Sequence, residues 1–172
     1  MDRDFNTITE LNDDPGLIKI NNCVNIAIDD LKRNEFSQFR DNLSVINVNL
    51  RGLNSNFSLL LTFISELKTP IKVIVITESH LDEDSVGLFN INGYRKTFIN
   101  RSKFAGGVIA YIHHSLEFTT DERYYKMEES FETVFFTLKC PASPPTSIKF
   151  LCTYRYVATF PIEDSYLILQ NF

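Results

Sequence analysis

The sequence predicts an α/β (α+β) fold in which a crossover helix joins two strands of a mixed sheet. Ile71–Thr77 is a β-branched apolar run, which is typical of a central buried strand. Leu43–Asn49 is a second run whose apolar residues fall on both parities, so both of its faces should be covered. Between the runs, apolar residues recur at helical spacing: Phe57, Leu60, Leu61, Ile64 and Leu67.

The connection between these two runs predicts their relative direction. A helix that crosses over from one strand to the next joins parallel strands, normally with a right-handed connection. Asn54, Ser55 or Asn56 can cap this helix, and Thr69-Pro70 should end it. The polar ends of both strands are therefore expected at the same edge of the sheet.

The remaining chain contains three more predicted strands, at Val108–His113, Phe131–Leu138 and Ile148–Tyr154. Asp82–Asp84 is predicted to lie in a solvated loop. Residues 1–40 are rich in Asp, Asn and Glu, and we interpret them as an acidic, weakly ordered leader. The length and hydrophobic content of the chain suit one globular domain, and Ile162–Phe172 has the pattern of the first turns of a helix.

Composition and charge narrow the class of protein. The formal net charge of −5 gives no overall attraction to nucleic acid, although it is compatible with a local basic patch. No apolar run has membrane-spanning length and the N-terminus is polar, so we expect neither a spanning helix nor a secretory signal. Cys23, Cys140 and Cys152 show no metal-ligand spacing, which indicates reduced cysteines of an intracellular protein.

Two oxygen-bearing side chains lie at the ends of the neighbouring strands. Asn47 is near the end of the first strand and shares its face with Asn49, and Glu78 directly follows the second strand. A carboxylate and a carboxamide suit a hard cation such as Mg2+, which takes oxygen ligands and keeps several waters. The alternative is that Glu78 is a surface residue or a helix cap.

Other candidate groups carry weaker predictions. His113-His114 lack further ligands at zinc spacing, so they are interpreted as the polar end of a strand. A basic cluster surrounds Phe98 and Phe104, and it is either a solvated loop or a contact to a phosphate backbone. Its members are Arg95, Lys96, Arg101 and Lys103.

An ordered series of motifs resembles the endonuclease/exonuclease/phosphatase superfamily, and most closely the endonuclease domain of non-LTR retrotransposons. The series begins with LSVINVNLRGLNSNF, which is similar to the family's opening strand with its metal-site Asn. It continues with VIVITESHL, similar to the strand that ends in the family's Glu, and with INGYRKTFINRSKFAGGVIAYI, FETVFFTLK and FLCTYR. The resemblance covers roughly Asn42 to Phe172 in the right order.

The resemblance implies metal-dependent hydrolysis of a DNA phosphodiester, with Mg2+ (or Mn2+) as cofactor and DNA as partner. At the matching positions Asn47 resembles the active-site Asn, Glu78 the metal-binding Glu, and Tyr154 the Tyr that contacts the scissile phosphate. Arg155 matches a non-catalytic position, and Tyr156-Val157-Ala158 replaces the family's proline-containing sequence. Action in the nucleus would follow from retrotransposition.

The resemblance also implies a four-layer α/β sandwich in which two sheets pack face to face. The family's G-D-F-N and S-D-H motifs, which supply the rest of its site, do not occur in this sequence. We therefore expect residues 41–172 to be an incomplete domain, truncated before its second half and inactive alone, because catalytic groups act as a unit. The alternatives are another phosphoesterase of the superfamily and a non-catalytic α/β fragment or binding module.

Overall fold

The computed structural model describes residues 43–67, 71–128, 131–140 and 146–155, which form a mixed α/β structure of two sheets and few helices. The elements are β1 (Val45–Asn49), α1 (Leu53–Glu66), β2 (Val73–Thr77), α2 (Glu83–Val86), β3 (Tyr94–Ile99), β4 (Val108–His113), β5 (Glu117–Thr120), β6 (Lys126–Met127), β7 (Phe131–Cys140) and β8 (Thr146–Arg155). The predicted leader at 1–40 and the predicted helix at 162–172 lie outside the described residues. No helix among those that are described is long and apolar enough to cross a membrane.

The first sheet has the strand order β1-β2-β4-β3. β1 pairs with β2 in parallel, and the other two pairings are antiparallel, so the predicted mixed sheet and its crossover helix α1 are confirmed. Every residue of β2 is buried, as its β-branched composition predicts. Ile74 and Ile76 pack with residues of α1, whereas Val73 and Val75 face the second sheet.

The second sheet is organised around β7, which pairs with β8 along its whole length and with β5 and β6 over shorter segments. Its inner face packs on the face of the first sheet that is opposite α1. The rings of Phe136 and Phe150 stack there with centroids 4.8 Å apart. The other buried residues of this inter-sheet core are Val73, Val75, Val108, Ala110, Ile112, Val134, Leu138 and Cys152.

The thiol of Cys152 lies in this core. Burial raises the pKa of Cys152 to about 12, which keeps the thiol protonated at neutral pH. Cys152 is a free cysteine, whereas Cys23 and the side chain of Cys140, for which the same reduced state was predicted, lie outside the described residues. It therefore behaves as a small apolar side chain between the two sheets.

Several local predictions differ from the structure. The residues of β1 alternate between exposed and partly buried, so its two faces are not both covered as predicted, because β1 is the first strand of the sheet order and flanks only β2. α1 begins at Leu53 after Gly52, which has φ 108° and gives no side-chain cap. The predicted cap residue Asn56 instead donates its side-chain amide to Leu50 O and Gly52 O, at 2.8 Å and 3.1 Å.

Two regular elements lie where the sequence predicted no helix or strand: Asp82–Asp84 was predicted as a loop, and the basic cluster was left open between a loop and a phosphate contact. Asp82 accepts the backbone N–H of Ser85 at 3.0 Å and Ser85 reciprocates, and this capping box starts the short helix α2. The basic segment Tyr94–Ile99 is strand β3, and it pairs with β4 over its whole length. In β3 the pairing with a buried neighbour outweighs a composition of Arg and Lys that is unusual for strands.

Candidate functional site

The carboxylate of Glu78 is the centre of a polar cluster at the carboxyl ends of β1 and β2. Its Oε1 accepts a hydrogen bond of 2.9 Å from Asn49 Nδ2 and one of 2.8 Å from the Tyr154 hydroxyl. Its Oε2 lies 4.0 Å from Nε of Arg51. The side chain is 19% exposed, so water and ions can reach it. The ends of three strands, β1, β2 and β8, thus converge on one carboxylate.

The backbone around this carboxylate has an unusual conformation. Arg51, Glu78 and His80 have φ values of 48°, 55° and 52°, and they are the non-glycine residues with positive φ in the described part of the chain. Each such residue costs on the order of 1–3 kcal/mol and persists only where its surroundings impose the conformation. Strain of this kind often accompanies functional sites. Both the strained backbone and the polar side chains therefore mark this end of the sheet as the candidate functional site.

Two flanking turns impose this conformation through backbone hydrogen bonds. In the turn that precedes α1, the N–H of Gly52 donates a hydrogen bond of 2.8 Å to Glu78 O. The turn that precedes β4 offers Gly107 O, which accepts Ser79 N at 3.2 Å. Gly107 has φ 89°, and a Cβ there would overlap the buried Oγ of Ser79, so the close approach requires glycine. The position of Glu78 depends on both turns.

Asn49, rather than the predicted Asn47, is the amide beside Glu78. In the pairing of β1 with β2, Asn49 lies opposite Thr77 and Asn47 opposite Val75. Asn47 is exposed on β1 and is two residues, roughly 7 Å, further from the end of the strand. The two amides share a parity, and parity specifies the face of a strand but not which residue lies nearest its end. The pairing register makes that choice.

Glu132 is a second carboxylate near the site, and the sequence prediction missed it. Its side chain is 1% exposed, and it lies opposite Tyr154 in the pairing of β7 with β8. Its Oε1 is paired with Nε of Arg101, and its Oε2 accepts the N–H of Gly107 at 2.6 Å. The available signal was its parity, because Glu132 falls on the same face of β7 as the buried Val134.

Local charges and hydrogen bonds keep Glu78 ionised at neutral pH. Partial burial by itself raises the pKa of this carboxyl, but the hydrogen bonds from Asn49 and Tyr154 lower it, and so do the charges of Arg51 and His80. The net result is a pKa below the ordinary value of 4.5. An ionised, solvent-accessible carboxylate is the form that binds a divalent cation.

Replacing Glu78 by glutamine should destabilise the protein at neutral pH but not in acid. A carboxyl whose pKa is lowered by folding stabilises the fold above its unfolded pKa, and this contribution is lost as the pH falls through the folded pKa. For Glu78 the loss therefore occurs below pH 4.5. Since the group is partly exposed, we expect Glu78→Gln to cost about 1 kcal/mol or less at neutral pH.

Denaturant unfolding of wild type and Glu78→Gln from neutral to acid pH measures this difference. The two free energies of unfolding should converge once the carboxyl of Glu78 is protonated. A difference that is independent of pH, or that grows on acidification, would contradict the assigned direction of the pKa shift.

The basic residues predicted as a loop or a phosphate contact have partners within the protein. Three of them donate to backbone carbonyls and two pair with carboxylates, and Arg101 does both because it also donates to Glu128 O. Arg95 donates to Leu116 O, Lys96 to Val86 O and Phe89 O, Arg101 pairs with Glu132, and Lys103 lies 3.0 Å from Asp82 Oδ2. These contacts favour a structural role over a phosphate-binding one. Hydrogen bonds from Ser85 and Lys103 lower the pKa of Asp82 to about 2, so the surface pair with Lys103 stays ionised.

His113 and His114 lie at the opposite end of the first sheet from Glu78. Their rings are 4.3 Å apart, and each Nδ1 has a local partner at 2.8 Å, Ser115 Oγ for His113 and Gly93 O for His114. These contacts agree with their interpretation as the polar end of a strand. They take no part in the Glu78 site.

No protein-family model matches the chain, and no curated protein matches it significantly. The fold and the site therefore identify only the structural class of this chain. The chain is a mixed α/β protein in which two sheets pack face to face and one sheet edge carries a cluster of Glu, Asn and Tyr.

Proposed function

We propose that the chain is an endonuclease-like domain of the kind found in the metal-dependent DNA phosphodiester hydrolases of non-LTR retrotransposons. The observation that supports this most is the convergence of Glu78, Asn49 and Tyr154 from three strands at one sheet edge. The motif series of the sequence adds support, because it places a Glu and a Tyr at the matching positions. In this proposal Asn49 takes the role that the resemblance suggested for Asn47.

The proposed fold is the four-layer α/β sandwich of that superfamily. In this proposal α1 and the two packed sheets would form three of its layers. The outer face of the second sheet carries Tyr124 and Phe135, whose rings are 4.8 Å apart, and the exposed Leu151. A cavity of about 310 Å3 opens there between Thr119 and Lys149. Such a face is what a further layer of helices would cover.

The donor chemistry of the site fits Mg2+ or Mn2+. Glu78 would supply an ionised carboxylate oxygen, and Asn49 Oδ1 would supply a carboxamide oxygen, which accepts one hydrogen bond from Arg51 N at 3.2 Å and keeps a second lone pair. Mg2+ usually takes one or two carboxylates and fills its other positions with water and phosphate oxygens. The described ranges contain no group of three or more His, Cys, Asp or Glu that could hold a metal, so the proposed site depends on one carboxylate and one amide. When bound, such an ion polarises a phosphoryl oxygen or acidifies a water.

The remaining roles belong to side chains of the protein. Asn49 and Tyr154 donate to the same oxygen of Glu78, so together they set the orientation of the carboxylate. The Tyr154 hydroxyl has a single proton, which it donates to Glu78, so in this proposal it would donate to a phosphoryl oxygen only by leaving that carboxylate. Arg51 is 85% exposed beside the carboxylate and adds a positive charge that favours a phosphate. DNA is the partner that we propose, with action in the nucleus.

Binding of Mn2+ tests the assigned ligands. We expect Glu78→Gln and Asn49→Ala each to weaken Mn2+ binding by about 10-fold or more, as loss of a ligand or its orienting partner typically does. Asn47→Ala is the matched control, because it removes an exposed amide from the same face of the same strand, and it should leave the affinity nearly unchanged. Electron paramagnetic resonance of free Mn2+ gives the dissociation constants. An equal loss for both Asn variants would contradict the assignment of Asn49.

Incubation of the purified chain with supercoiled plasmid and Mg2+ tests the reaction. We expect Mg2+-dependent DNA binding that is lost in Glu78→Gln, without efficient nicking, since the sequence contains neither G-D-F-N nor S-D-H. Robust nicking that disappears in Glu78→Gln would overturn the expected inactivity. DNA binding that depends on neither Mg2+ nor Glu78 would favour the non-catalytic binding module. Hydrolysis of phosphomonoesters instead of DNA would favour another phosphoesterase.

A further inference from the structure

We propose that Glu132 is a positioning residue for the Glu78 site, and that it acts by tying the second sheet to the Gly106-Gly107 turn. The inference rests on the proposed function of Glu78 as a cation ligand. It assigns a role to a buried carboxylate that lies outside the Glu–Asn–Tyr cluster.

Glu132 is a carboxylate in apolar surroundings. It lies on the inner face of β7 and is 1% exposed, and the next residue on that face is the fully buried Val134. Burying a carboxylate is unfavourable unless it is both paired and hydrogen-bonded, and an apolar side chain could fill the same space at less cost. The partners of Glu132 therefore indicate why a charge is present. They are the guanidinium of Arg101 and the N–H of Gly107, the latter at 2.6 Å.

The Gly106-Gly107 turn is built closely around this carboxylate. Gly106 has φ 67°, and a Cβ at this position would overlap the carboxylate of Glu132. The carbonyls of the same turn accept His80 N at 3.0 Å and Ser79 N at 3.2 Å. One short path of hydrogen bonds therefore leads from Glu132 through Gly107 to Ser79, which directly follows Glu78 in the chain.

A second path runs through Tyr154. Glu132 and Tyr154 are paired residues of β7 and β8, so their side chains project from the same face of the sheet. The Tyr154 hydroxyl donates to Glu78 at 2.8 Å. Glu132 thus holds the backbone that adjoins Glu78, and it belongs to the strand pair that carries the hydrogen-bond donor of Glu78. If Glu132 loses its charge, the end of the second sheet is free to shift relative to Glu78.

The variant Glu132→Gln tests this role, because it keeps the shape of the side chain and removes its charge. We expect Mn2+ to bind about 10-fold or more weakly, the usual size of the effect for a residue that orients a ligand. We also expect the pKa of Glu78 to rise towards its ordinary value of 4.5, because the hydrogen bonds from Asn49 and Tyr154 lengthen. NMR titration of the Glu78 carboxyl carbon measures that pKa without any metal.

The direction in which the pKa of Glu78 changes in Glu132→Gln shows whether Glu132 positions Glu78 or acts on it only through its charge. Removing a negative charge near Glu78 would, by charge alone, lower the pKa of Glu78, whereas displacement from its hydrogen-bond donors raises it. Val134→Ala is the matched control. It removes buried apolar atoms from the same face of β7 and should destabilise the protein, but it changes neither partner of Glu132 in the hydrogen bond to Gly107. It should leave the pKa of Glu78 and the Mn2+ affinity unchanged.

A pKa of Glu78 that is unchanged or lowered in Glu132→Gln would overturn the inference, and so would equal effects of Val134→Ala. If Glu132→Gln does not fold, Arg101→Lys provides the milder perturbation, because it keeps the charge but not the guanidinium hydrogen bonds, and it should raise the same pKa by less. If the wild-type chain binds no Mn2+, the proposed function fails, while the metal-free titration still decides the role of Glu132.

Discussion

Replacing Gly107 by alanine should destabilise the protein by about 2–5 kcal/mol, the sum of backbone strain and overpacking. Gly107 has φ 89°, a region that L side chains rarely adopt. The new Cβ would also overlap Ser79 Oγ, which is buried and has no hydrogen-bond partner among the described residues. Because Gly107 O holds Ser79 N, the disturbance should reach Glu78, and equilibrium denaturation together with Mn2+ binding measures both effects.

Two control variants make the prediction for Gly107 specific. Gly87 has φ −60°, and a Cβ there meets no atom within 4 Å, so Gly87→Ala should be neutral or stabilise by up to about 1 kcal/mol. In a Ser79→Ala background the overlap with Oγ disappears, and the penalty of Gly107→Ala should fall to the backbone strain of about 1–2 kcal/mol. A penalty that is the same in both backgrounds would show that the contact with Ser79 contributes nothing.

Replacing Arg101 by methionine should destabilise the protein by about 3 kcal/mol, the lower end of the range for breaking a buried ion pair. The variant leaves the Glu132 carboxylate, which is 1% exposed, without a counter-charge. Arg101 itself is 25% exposed, which places the effect at the lower end of that range. Chemical denaturation at neutral pH measures the loss.

A surface ion pair supplies the control for Arg101. Arg123 lies 2.6 Å from Asp121 but is 82% exposed, and solvent screens such pairs, so Arg123→Met should change stability little. The double variant Arg101→Met with Glu132→Leu should be more stable than Arg101→Met alone, because it removes the unpaired charge and leaves only Gly107 N without its acceptor. A double variant that is less stable than the single one would show that the carboxylate itself stabilises the fold.

The two sheet-edge carboxylates illustrate what the sequence could predict. Glu78 was found from the sequence because it follows a buried strand, and both the strand and its end are local features. Glu132 was passed over because one polar residue in a strand is normally a solvent-facing one. Its burial depends on Arg101 and Gly107, which are 31 and 25 residues away in the chain. Periodicity does not report contacts of that kind.

The elements that were misassigned have the same cause. β3 carries Arg and Lys where a strand is expected to be apolar, and its identity comes from pairing with β4. The helix α2 is only four residues long, so the capping box of Asp82 and Ser85 was the available signal for it. The acidic run that contains Asp82 was interpreted as a solvated loop instead. By contrast, the bounds of β4 were predicted correctly, since a β-branched and aromatic run between glycines and a polar end is unambiguous.

The sequence by itself determined the strand–helix–strand unit, its parallel pairing and the place of Glu78 at the end of β2. These follow from apolar periodicity and from the geometry of a crossover, which operate over neighbouring residues. Only the tertiary structure decided that Asn49 rather than Asn47 meets Glu78, because both amides share a face and the strand register separates them. It alone also brought Glu132 to this end of the sheet and gave Tyr154, which the motif series had proposed, its hydrogen bond to Glu78, since the packing of one sheet on the other joins residues that are far apart in the chain.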